Sequence, residues 1–163
     1  NATRAKGLKF GLYHSLMEWH NPDYLEDQRN NWSTQKFSKG KTIPELHDLM
    51  EQYKPSLIWS DGEWEARDDY WTSREFLAWL YNESPVKDEI VVNDRWAGPN
   101  PPQPGGTRLR HGGYYSGDDR QEGGAQFLKH KWESTATVDP NSWGYNKDTP
   151  VADYLPAHEL IKK

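Results

Sequence analysis

The sequence predicts an α/β fold with parallel strands, on three observations. Short apolar runs alternate with amphipathic helical segments, turn residues bound each run, and charged or aromatic polar residues gather at the C-terminal end of each run. The first run is Leu8-Lys9-Phe10-Gly11-Leu12-Tyr13-His14, and a polar stretch follows it. A helix is predicted from Ile43 to Tyr53, with Thr42 as its cap, Pro44 in the first turn and Glu45 completing a capping box. Leu46, Leu49, Met50 and Tyr53 make its single apolar stripe, and Pro55 ends it. The run Ser56 to Ser60 reads as a strand buried on both faces, closed by Asp61-Gly62. A second helix spans Ser73 to Asn82, with Phe76, Leu77 and Leu80 on one face. Consecutive β-branched residues then mark a third strand from Glu89 to Asn93. Strand, helix, strand, helix, strand is a parallel arrangement with right-handed crossovers. Ala97 to Arg110, rich in Pro and Gly, reads as a loop, His111 to Tyr115 and Lys129 to Glu133 as weaker strands, and Val151 to Lys163 as the beginning of another helix.

Composition bounds the function. With 163 residues the chain suits one domain, and although only 26 of them are Leu, Ile, Val or Phe, 9 Trp and 9 Tyr supply the missing apolar area. The net charge of −5, with no basic block, argues against a nucleic-acid partner. No apolar run approaches the ~20 residues a membrane span requires. Without cysteine there is neither a disulfide nor a thiolate site, and the 6 His residues show no spacing of a metal-ligand set. Three sequons, at Asn1, Asn31 and Asn82, would accept glycans in a secretory route. The first residue, Asn1, is neither Met nor followed by an apolar leader, so the start reads as internal to a longer precursor.

The polar ends of the strands are Tyr13-His14, Trp59 with Asp61, Asn93-Asp94-Arg95, Tyr114-Tyr115 before Asp118-Asp119, and Lys131-Trp132-Glu133. In parallel α/β folds the loops leaving these ends converge on one face, where ligands bind. Carboxylates and tryptophans converging there suggest a sugar site, because rings stack on pyranose faces and paired Asp/Glu residues hydrolyse glycosides. Spacing alone leaves bland readings open: Asp61-Gly62 as a tight turn, His14 as a satisfied core histidine, Tyr13 and Trp59 as packing, and Arg95 with Asp94 as a structural ion pair.

Several longer words go further. Gly11-Leu12-Tyr13-His14-Ser15-Leu16-Met17-Glu18-Trp19, Lys54 to Glu65 around Trp59-Ser60-Asp61-Gly62, Ser84 to Glu89 with Val91-Val92-Asn93-Asp94-Arg95-Trp96, and His130-Lys131-Trp132-Glu133 resemble, in order, the α-L-fucosidases of the retaining glycoside hydrolase class, particularly their animal lysosomal and secreted forms. The resemblance implies a TIM-like (β/α)8 barrel, of which residues 1–163 would be an incomplete single domain carrying about strands three to seven. The family's paired histidines lie on strands before the Gly-Leu-Tyr-His word. It implies Asp61 as nucleophile, Asp119 as the preferred acid/base with Glu133 as the alternative, and Tyr13, His14, Trp59 and Arg95 lining a fucose pocket. It also implies fucosylated glycans as substrates, no cofactor, a lysosomal or secreted location, and a homo-oligomer as an open option for the intact protein. A barrel without its first strands is expected to be inactive, or nearly so, by itself. The alternative is a fucose-binding, lectin-like remnant that kept the aromatic residues and lost catalysis.

Overall fold

The computed structural model describes residues 2–98, 113–117, 119 and 129–162. The sequon at Asn1, most of the 97–110 loop and the first two residues of the 111–115 strand lie outside them. The chain forms two compact units, Asn1–Gly113 and Tyr114–Lys163.

The first unit carries, in order, α1 (Ala2–Ala5), β1 (Gly11–Ser15), α2 (Pro22–Arg29), α3 (Ile43–Tyr53), β2 (Leu57–Asp61), α4 (Asp68–Trp71), α5 (Ser73–Asn82) and β3 (Val91–Val92). The strands form one parallel sheet in the order β1-β2-β3, with Tyr13 opposite Trp59, Ser15 opposite Asp61 and Ile58 opposite Val92. Since both crossovers step the same way, the right-handed rule puts α3 and α5 on one face. Burial follows that rule. Ile58 and Val92 are fully buried with Leu46 and Met50 of α3 and Phe76, Leu77 and Leu80 of α5, whereas Val91 is 45% exposed. Each such aliphatic side chain contributes about 1.5–3 kcal/mol by leaving water. The expectation of a strand buried on both faces is therefore corrected: in β2 only Ile58 and Ser60, on the helix side, are fully buried, while Leu57, Trp59 and Asp61 are half-buried.

Both long helices have the predicted bounds, but the caps differ. Thr42 is itself helical, the last residue of a π-turn from Ser38 to Thr42, and its hydroxyl donates to the carbonyl of Leu16 (3.3 Å) instead of capping α3. At the other end Lys54 turns left-handed, and Arg4 donates to the carbonyls of Tyr53 (2.6 Å) and Lys54 (2.7 Å), placing a cation at the negative end of the helix. The polar stretch after β1 holds a helix that apolar periodicity did not reveal. In α2 the side chain of Asn21 accepts from the amides of Asp23 and Tyr24, Pro22 occupies the first turn, and buried Asp27 accepts from the Phe37 amide (2.9 Å) and the Tyr70 hydroxyl (3.0 Å).

The third strand is shorter than predicted. Glu89 and Ile90 lie in a turn, both amides bonding to the carbonyl of Val86, so only Val91 and Val92 join the ladder. In the second unit β4 (Tyr115–Ser116) pairs in parallel with β5 (Trp132–Glu133), Ser116 opposite Glu133. A short 3-10 turn over Val151–Asp153 precedes α6 (Ala157–Lys162), so the predicted C-terminal helix starts later, after Pro156.

Candidate active site at the carboxyl end of the first sheet

Alternation along β1 and β2 decides which side chains meet. Tyr13, Trp59 and Asp61 point away from α3 and α5, and Asp61 is the last residue of β2. Its chain is held there by the amide of Leu16, which donates to the Asp61 carbonyl (2.7 Å). The next residue, Gly62, has φ +79, and a Cβ there would sit 2.8 Å from the Met17 side chain and 3.3 Å from the Met17 amide. Gly62 thus ends β2 in a left-handed step into a 3-10 turn over Glu63–Glu65, not in a hairpin, and Asp61 stands at the strand tip.

Both carboxylate oxygens of Asp61 are engaged. The Tyr13 hydroxyl donates to Oδ2 (2.8 Å) and Arg95 donates to Oδ1 (3.1 Å). The Asp61 side chain is 20% exposed and that of Arg95 only 4%, so this pair is shielded from bulk water on the arginine side. The guanidinium also lies over the Trp59 ring, 4.7 Å from its centroid, and Tyr13 stacks against that ring at 5.6 Å. Partial burial, followed by the bond to Asp61, pushes the Tyr13 hydroxyl up to about 12, so it remains a donor through neutral and mildly alkaline pH.

His14 does not join this group. It lies on the helix side of β1, opposite Ser60, with Nε2 3.4 Å from Glu45 of α3. Lys41 bonds both Glu45 and Glu18, extending the same network. Burial lowers the His14 pKa despite the opposing pull of Glu45, and Nδ1 is buried without a hydrogen-bond partner among the described residues. The two acid/base candidates fall in the second unit, at the ends of neighbouring parallel strands: Glu133 is the half-buried last residue of β5, and Asp119 is exposed, three residues beyond the end of β4. Among the described residues, no three His, Asp or Glu side chains converge as a cation site would need.

Asn93, present in the sequence among the polar strand ends but without a role assigned to it, contributes to the site. Asn93 is fully buried; its side-chain oxygen accepts from the Ser60 amide (3.1 Å) and its side-chain nitrogen donates to the Ser60 carbonyl (2.8 Å). A polar amide directly after Ile90-Val91-Val92 was the available signal, since a buried amide must find partners for both of its ends.

The family model for α-L-fucosidase matches residues 1–163. The chain belongs to the α-L-fucosidase family. It is 51% identical over 162 residues to a tissue α-L-fucosidase of Rattus norvegicus and 53% identical to one of Bos taurus, matching 99% of this chain and 33% of the relative in each case. A plasma α-L-fucosidase of the rat is 49% identical over 96% of the chain. The chain thus spans about a third of the length of these relatives. Among solved structures, the fucose complex of the Thermotoga maritima α-fucosidase aligns with a TM-score of 0.66 and 25% identity, covering 98% of this chain and 33% of that one. An α-L-fucosidase of Paenibacillus thiaminolyticus, at 21% identity and a TM-score of 0.69, shares the fold.

Proposed function

We propose that this chain carries the nucleophile half of a retaining α-L-fucosidase that removes terminal α-L-fucose from glycans, and that its strands belong to a (β/α)8 barrel, about strands three to seven. The observation that carries the reading is the anchoring of Asp61 at the tip of an inner parallel strand, one oxygen on a phenol and the other on a shielded guanidinium. That is the arrangement a carboxylate nucleophile needs: a fixed direction and an opposite charge beside it.

In this mechanism Asp61 attacks the anomeric carbon of bound fucoside, and the glycosidic bond breaks as the leaving oxygen takes a proton from the acid, Asp119 in preference and Glu133 as the alternative. A covalent fucosyl ester on Asp61 results. The same acid, now a carboxylate, removes a proton from water; the water attacks the anomeric carbon and releases fucose with retained configuration. Tyr13, being held as a phenol, steadies one carboxylate oxygen, and Arg95 holds the other. Trp59, half-buried with Tyr13 stacked on its ring and the Arg95 guanidinium over it, lines the fucose pocket beside them. His14 acts from the far side of β1, fastening the strand to α3 through Glu45. The reading requires no cofactor, and its substrates are fucosylated glycans.

A lysosomal or secreted location fits relatives described as tissue and plasma enzymes, and among the described residues no helix is long and apolar enough to cross a membrane. In that route Asn31 is the acceptor we favour over Asn82. Asn31 and Ser33 are exposed in a turn, whereas the Asn82 amide donates to the Ala78 carbonyl (2.6 Å) and Ser84 is buried, its hydroxyl bonded to Leu80.

The test is covalent trapping in the protein at its full natural length. A fluorinated fucosyl fluoride is expected to inactivate it and to label the peptide containing Asp61. Label on another carboxylate would remove Asp61 from the mechanism, and fucose binding without any label would favour the lectin-like remnant.

A further inference from the structure

Resting on the nucleophile reading of Asp61, we infer that Asn93 is a positioning residue of the reaction: its side-chain amide replaces the backbone of β3 at the point where the ladder stops, and so fixes the relation between Asp61 and Arg95.

The ladder between β2 and β3 is two residue pairs long, Leu57 with Val91 and Ile58 with Val92. Were β3 to continue, its backbone would bind Ser60 and its course would stay parallel to β2, carrying residue 95 along the strand direction. Instead the Asn93 side chain satisfies both the amide and the carbonyl of Ser60, the residue immediately before the nucleophile. The backbone, released from pairing, turns. Its new course is fixed by the Trp96 indole, which donates to the Asn93 carbonyl (3.0 Å), and by the Ser73 hydroxyl, which donates to the Trp96 carbonyl. Between these anchors stands Arg95, aimed back at Asp61. Asn93 and Trp96 are both fully buried, so neither anchor competes with water. One amide thereby joins the strand that carries the nucleophile to the segment that carries its counter-charge.

Aspartate is the instructive replacement, because it has the shape of asparagine but sets a carboxylate oxygen against the Ser60 carbonyl. In the protein at full length, Asn93→Asp is expected to lower kcat for an aryl α-L-fucoside by about 10- to 100-fold near neutral pH, the cost of misplacing a reacting group by about 1 Å, with a smaller change in KM. The loss should shrink at acidic pH, where a protonated carboxyl can again donate to Ser60. The deciding readout is the cycle with Arg95→Ala: in that background Asn93→Asp should cost less than about threefold, because the geometry it maintains is already gone. Equal losses in both backgrounds, or parental kcat for Asn93→Asp, would overturn the inference. If Asn93→Asp does not accumulate as folded protein, Trp96→Phe removes the indole donor to the Asn93 carbonyl along with part of a ring packed on Phe76; an unchanged kcat there overturns the inference equally. Asp61→Ala is assayed in parallel. Retained turnover in that variant sinks the nucleophile reading, whereas a dead Asp61→Ala beside a neutral Asn93→Asp sinks only the positioning role.

Discussion

On the proposed reading Asp61 concentrates the chemistry of the described site, and its partners make separable contributions. Asp61→Asn keeps the volume and an acceptor for Arg95, with its Nδ2 able to donate to the Tyr13 oxygen instead of accepting from that hydroxyl, but cannot form the ester, so turnover should fall by roughly 10⁴-fold or more with an unchanged circular dichroism spectrum. Arg95→Ala removes a donor and a charge from a partly shielded carboxylate; kcat/KM should fall about 10²- to 10³-fold, as for other preorganised donors. Steady-state kinetics on the full-length protein checks both, and activity within tenfold of the parent for either would contradict its assigned part. Tyr13 offers a titration. Its hydroxyl is raised to about 12, so the proton stays on longer in the folded protein than in the unfolded chain, and its contribution to stability is complete below pH 10 and lost as pH climbs from 10 towards 12. Tyrosinate absorbance, compared between the parent and Tyr13→Phe, should show one late-titrating group missing from the variant.

Elements set where these residues can point. β1 presents Tyr13 to one face and His14 to the other, and that alternation separates two polar residues that adjoin in sequence. His14 consequently predicts stability rather than catalysis. Its pKa is lowered in the fold by burial, against the opposing pull of Glu45, with Lys41 and Glu18 also facing it. The unfolded chain therefore takes up the proton first. Stability from this residue is full above the ordinary histidine value near 6.5 and declines as pH falls below it. Replacing His14 with Gln should flatten the loss of melting temperature between pH 7 and pH 5, and a variant that remains as acid-sensitive as the parent would refute the assignment. The turn after β2 is equally constrained. Gly62→Ala meets both a left-handed φ and the Met17 backbone, and should cost about 1–3 kcal/mol in chemical denaturation.

At the scale of the whole molecule, the first sheet has helices on one face, and β1 and β3 are its edges among the described residues. Tyr13 is 61% exposed on the face opposite α3 and α5. A parallel sheet normally has both faces covered, so the 163-residue chain expressed alone is expected to self-associate through its open sheet and to release no fucose. Light scattering and a fucoside assay on that chain test this together; a monodisperse, active monomer would defeat it.

Much was legible in the sequence because it is local. The bounds of α3 and α5 follow from stripes such as Leu46, Leu49 and Met50, and the strands from apolar runs closed by Pro and Gly. The nucleophile candidate was legible as a word of residues around Asp61. Tertiary structure decided what depends on partners distant in the chain. Thr42 looked like a cap until Leu16 supplied another acceptor, and α2 escaped notice because its stability comes from Asn21 and Asp27 rather than from an apolar stripe. His14 and Arg95 looked alike as polar residues at strand ends. Only pairing register, which places side chains on opposite faces at each step, and a buried amide that ends a ladder early, sent one to the helices and the other to the carboxylate.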